Sequence, residues 1–77
     1  MNLDDEVKKL FFEAFPTLDE SEFDWNKKQK DYERWDSFAQ LNLITLAESK
    51  FNINLTIDES ISITSAKNLL DCIKSHL

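Results

Sequence analysis

The stretch Trp35-Asp36-Ser37-Phe38-Ala39-Gln40-Leu41-Asn42-Leu43-Ile44 decides how this chain is read. An Asp-Ser pair stands at the threshold of a long apolar-periodic segment, which sets a hydroxyl at a helix N-terminus. There the first backbone N–H groups lack intrahelical partners and the helix dipole favours negative charge. Ser37 so placed either caps the helix and does nothing more, or anchors a phosphate-linked group. Beyond it, Phe38, Leu41, Ile44 and Ala47 form a stripe, with Leu43 and Leu46 to one side. So wide an apolar surface predicts a helix over 37–50 buried against more than one neighbour.

Working outward, Leu3, Val7, Leu10, Phe11 and Ala14 trace one helical face, and Asp4, Asp5 and Glu6 suit the positive end of its dipole. Pro16 disfavours helical geometry at the residue before it, so this helix is expected over 3–15. Residues 16–36 hold no sustained period, although Thr17 is a candidate cap for a short turn. Phe23, Trp25, Tyr32 and Trp35 are too aromatic for a solvated loop and read as a cover over the core. Phe51, Ile53, Leu55 and Ile57 alternate as a strand would. With no partner strand in the chain, they read as an extended connector pinning side chains into the core. A short turn over 57–61 follows, with Asp58 and Glu59 near its start. A last helix over 65–77 is capped by Thr64 and buries Ala66, Leu69, Leu70, Ile73 and Leu77. The expected fold is all-α: a four-helix bundle of three long helices and one short third helix, with a long first loop.

Composition narrows the function. Seventy-seven residues make one domain, near the lower limit for a self-sufficient core. Glycine is absent, which excludes the Gly-rich loops that cradle phosphates in P-loop and Rossmann proteins. A net charge of −6 opposes nucleic acid and anionic membranes and suits partners with basic docking surfaces. The acidic start Asn2-Leu3-Asp4-Asp5-Glu6 is unlike a secretory signal, so a cytoplasmic location is expected.

The order of these elements, with Asp36-Ser37-Phe38 opening the second helix, resembles the acyl carrier protein family. The likeness continues through Leu41, Leu43 and Ile44, then Glu48 and Phe51, Ile53-Asn54-Leu55, the turn 57–61 and Ile63-Thr64-Ser65-Ala66. It is strongest from Trp35 to Ile73 and implies an acyl-carrier-like bundle. By this resemblance Ser37 carries a covalent 4′-phosphopantetheine arm, added from coenzyme A by a phosphopantetheinyl transferase. Asp36 resembles the aspartate that assists the metal site of that transferase. The arm holds an acyl or aminoacyl group as a thioester, supplied by a loading ligase and used by downstream transferases or synthases. The carrier supplies tethering rather than catalysis. The resemblance further implies a monomer without intrinsic metal, partner contacts through Phe38, Leu41, Glu48 and Ile57, and an acyl chain sheltered between the second and third helices. Three departures stand out. Phe38 replaces the leucine that follows the serine in the family, and Arg34-Trp35 stands where a glycine is common. Gln40, Asn42, Thr45 and Ser49 are neutral on the face where fatty-acid carriers display an acidic ladder, with only Glu48 acidic and Lys50 basic. A specialised carrier with few dedicated partners is expected.

Other candidates are weaker. Cys72 reads as a half-buried packing residue, and His76 has no metal-ligand spacing to another histidine or cysteine. The two stand one turn apart, a pairing with no third group in the sequence to support catalysis. Lys27, Lys28 and Lys30 are flanked by Asp24, Asp31 and Glu33, as in a solvated loop. Asp58 and Glu59 are accounted for by their place at a helix start. Alternatives to a carrier are an unmodified helical protein–protein interaction domain of the same fold, and a small hydrolase using Ser37 without a histidine near it in sequence.

Overall fold

The computed structural model describes residues 2–77. They form α1 (Leu3–Ala14), α2 (Ser37–Phe51), α3 (Ile57–Ser62) and α4 (Ala66–His76), with 3-10 turns at Glu20–Glu22 and Gln29–Asp31 in the first loop. The all-α expectation holds: among the described residues the only β pairing is an isolated antiparallel bridge between Lys28 and Ser65. The radius of gyration, 11.4 Å, matches the roughly 11.5 Å of a close-packed chain this long.

Local chemistry sets each boundary. Asn2 caps α1 by accepting from Asp4 N at 2.9 Å, and Phe15 leaves the helix just before Pro16. Asn52 ends α2 in the left-handed region at φ 54°, the position glycine would take in a chain that had one. Thr56 opens α3 through a capping box with Glu59. Two expected caps shift. Ser65 rather than Thr64 caps α4, accepting from Asn68 N at 3.1 Å, while Thr64 binds the Asn68 side chain. In the first loop the turn begins at Asp19 rather than Thr17, with Glu22 Oε1 accepting from Asp19 N.

The aromatic loop packs as expected. Phe11 is fully buried, with the rings of Phe15, Phe23, Tyr32 and Trp35 at centroid distances of 4.9–5.7 Å. Val7, Leu10, Leu43, Ala47, Ile63, Leu69 and Ile73 complete the core, and each large buried side chain contributes about 1.5–3 kcal/mol. The loop is also fastened to the start of α4 through the main chain. Gln29 N–H donates to Thr64 O at 2.7 Å and Lys67 N–H to Trp25 O at 3.0 Å. The second of these satisfies a helix N-terminal donor that no intrahelical carbonyl can reach.

The apolar stripes fall short of the core at their ends. Leu43, Ile44 and Ala47 of α2 are buried, but Phe38 is 85% exposed and Leu41 65%. Ile53 is buried and Phe51 and Leu55 are half-buried, whereas Ile57, at the far end of the connector, is 78% exposed. Leu77 likewise stays outside, beyond the last turn of α4. Helical spacing records which residues share a face; it does not record where the neighbouring helix stops covering that face. Among the described residues no helix is long and apolar enough to cross a membrane.

Candidate functional site

The entry to α2 is held from both sides. Trp35 is buried, its backbone carbonyl accepts from Gln29 Nε2 at 3.2 Å, and its indole N–H donates to Gln40 Oε1. Asp36 follows in extended geometry and caps the helix, its Oδ1 accepting from Ala39 N at 2.9 Å. Ser37 is therefore the first helical residue and not the cap. It is exposed, and its hydroxyl makes no hydrogen bond among the described residues. Capping by Asp36 leaves Ser37 Oγ free beside the positive end of a helix of 15 residues.

Gln40 departs from the expected neutral outer face. It is half-buried, and its Nε2 donates to Ser60 O at 2.6 Å and to Ile63 O at 3.1 Å. Through that one amide, Trp35, α2 and both ends of the α3 exit are joined. α3 buries none of its own residues, so this joint carries much of its placement. Ile57 and Ile61 of α3 stand exposed, as do Phe38 and Leu41 of α2.

Glu48 and Lys50 are engaged within the chain. Glu48 is half-buried and its Oε2 accepts from Leu55 N at 2.9 Å, clasping the connector to α2. Lys50 Nζ turns back to Glu6 at 3.5 Å and Glu13 at 3.9 Å on α1. What remains on the outer face, Asn42, Thr45 and Ser49, is exposed and uncharged.

Sequence reasoning missed one grouping. The structure brings Glu59 of α3 to Cys72 and His76 of α4. Glu59 Oε1 serves the capping box by accepting from Thr56 N at 2.9 Å. Its Oε2 lies 2.7 Å from His76 Nε2 and 3.7 Å from Cys72 Sγ. The Thr56 amide, followed by His76, holds the Glu59 carboxyl down at about 2, so it is ionised at neutral pH. Burial and then this carboxylate push the Cys72 thiol up. That is the reverse of what activates a cysteine nucleophile. His76 is the chain's one histidine, and its Nε2 faces Glu59 rather than Ser37. The spacing of Cys72 and His76 placed them on one side of α4; only the packing of α3 adds the carboxylate.

Burial also raises the Tyr32 phenol above its ordinary value, and Tyr32 Oη donates to Asp24 O at 3.3 Å. A cleft of about 300 Å³ lies over the first loop between Phe15, Leu18, Tyr32 and Arg34. A second runs between that loop and Thr64, and neither borders Ser37 or α3. Among known proteins, no family model, no curated protein and no solved structure matches the chain.

Proposed function

We propose that this chain is a specialised acyl or aminoacyl carrier, with a 4′-phosphopantetheine arm on Ser37. The observation that carries the reading is the free, exposed hydroxyl of Ser37 at the first position of α2, left unused because Asp36 does the capping. A phosphodiester there meets the helix dipole favourably. Attachment forms a bond from Ser37 Oγ to the phosphorus bearing pantetheine and breaks the pyrophosphate linkage of coenzyme A. The adenosine 3′,5′-bisphosphate leaves and the serine proton passes to a base of the transferase. The unbonded oxygen of Asp36 stands next to that event, available to the transferase's metal ion.

The apolar side chains of Phe38, Leu41, Ile57 and Ile61 give the enzymes that load and unload the arm a surface to dock on. The outward face of α2 supports specialisation: Glu48 and Lys50 are spent on internal contacts, leaving little charge for a general-purpose basic patch to read. In this reading the chain works as a cytoplasmic monomer, has no catalytic residue of its own, and engages neither nucleic acid nor membrane.

The test is the intact mass after incubation with coenzyme A, Mg²⁺ and a broad-specificity phosphopantetheinyl transferase, with Ser37→Ala alongside. A gain of one phosphopantetheine on the natural chain alone is expected. No gain with several transferases, on protein shown by circular dichroism to be folded, overturns the carrier reading. The same exposed apolar side chains then favour an unmodified interaction domain, whose partner Ser37→Ala would still bind.

A further inference from the structure

We infer that Glu59 Oε2, Cys72 Sγ and His76 Nε2 form a three-ligand Zn²⁺ site that fastens α3 to α4. It stands independently of the carrier reading. The three ligand atoms lie within 4.8 Å of one another, drawn from two helices. A tetrahedral Zn²⁺ with bonds of about 2.3 Å to sulfur and about 2.0–2.2 Å to nitrogen and oxygen holds its ligand atoms roughly 3.4–3.6 Å apart. The Cys72–Glu59 separation of 3.7 Å already fits. The His76–Glu59 contact, 2.7 Å, is a direct hydrogen bond and opens by about 0.7 Å, a side-chain adjustment at the exposed end of α4.

The donor set selects the metal. A thiolate with an imidazole suits Zn²⁺ and disfavours Mg²⁺ and Ca²⁺, which take oxygen ligands. The carboxylate is oriented in advance: Thr56 N–H holds Oε1 at 2.9 Å and leaves Oε2 directed at the two α4 side chains. Such outer hydrogen bonds fix ligand geometry in built metal sites. Cys72 and His76 lie one turn apart on α4, so the helix itself sets their spacing. On binding, the Cys72 S–H bond breaks and its proton goes to solvent as the S–Zn bond forms. The His76 Nε2 lone pair is freed when its proton goes to solvent, a neutral ring taking one back at Nδ1, and a water fills the fourth position.

The consequence falls on α3. This helix is six residues long and none of them is buried, so the Gln40 joint and the Glu59 contacts are its main ties. Metal at Glu59 locks the helix that presents Ile57 and Ile61.

The experiment is a Co²⁺ titration of the whole reduced chain, read by the thiolate-to-cobalt charge-transfer absorption, followed by displacement with Zn²⁺. Expected is a band that saturates at one equivalent and is bleached by Zn²⁺. It disappears in Cys72→Ala, and affinity falls by more than about 10-fold in His76→Gln and in Glu59→Gln. Absence of the band in the natural chain overturns the site. So does a band whose affinity is unchanged in both His76→Gln and Glu59→Gln, since a lone thiolate then binds the metal. Hydrogen exchange of the α3 amides slows with Zn²⁺ in the natural chain and not in Cys72→Ala; equal exchange with and without Zn²⁺ overturns the fastening role.

Discussion

Two regions of this molecule are built on opposite principles. Around Phe11, α1 and the first loop enclose five aromatic rings, and α4 closes the core with Leu69 and Ile73, both fully buried. At the opposite extreme, α3 buries nothing and the first turns of α2 leave Phe38 and Leu41 in solvent. One region is held by apolar burial; the other is held by single polar contacts at Gln40, Glu48 and Glu59. The contrast teaches where stability is made and where the surface is left free for something else. A small domain can concentrate its burial in some elements and leave apolar side chains of others uncovered.

Substitutions test that division, starting with the core. Phe11→Ala should cost ~3–5 kcal/mol, against a total stability on the order of 4–12 kcal/mol for a chain this size. Chemical denaturation measures it, and a loss below about 1 kcal/mol would break the claim that the aromatic cluster carries the fold. Gln40→Ala should cost ~1–3 kcal/mol, because it strips the Trp35 indole N–H and two carbonyls of their partner. Hydrogen exchange should quicken in α3 and change little in α1 and α4; uniform quickening would mean the two regions are one cooperative unit. Asp36→Ala should cost about 1 kcal/mol as a lost cap, lowering the melting temperature by roughly 4–8 °C. Ser37→Ala and Phe38→Ser should each stay within about 0.5 kcal/mol. If Ser37→Ala matched Asp36→Ala in a thermal melt, the serine would be a cap after all.

The buried region was largely legible in the sequence, and the exposed one was not. Leu3 to Ala14 and Ala66 to Ile73 carry helical periods that local spacing reports directly, and Pro16 marks a boundary by its ring alone. Trp35 and Tyr32 were readable as core because so dense a run of aromatics is out of place in a solvated loop. At the entry to α2, Asp and Ser are both ordinary caps, and only the backbone angles and the bond from Ala39 N assign the cap to Asp36. Phe38 and Leu41 share the stripe of Ile44, and nothing in their spacing says that covering stops short of them. Gln40, Glu48 and Glu59 act on groups 20, 7 and 17 residues away in sequence, through packing that no local pattern encodes.

The joint between the first loop and α4 is made of main-chain groups: the Gln29 amide, the Thr64 and Trp25 carbonyls, the Lys67 amide, and the Lys28–Ser65 bridge. Every amino acid except proline brings the same amide and carbonyl, so the joint imposes almost no demand on the letters at Lys28 and Lys67. A saturation library at Lys67, whose N–H is donated, should return nearly every residue but proline, and one at Lys28, whose N–H is not, should admit proline as well. Two chains could drift apart there until no letter is shared and still close the loop in the same way, the architecture passing unchanged beneath a spelling that does not record it.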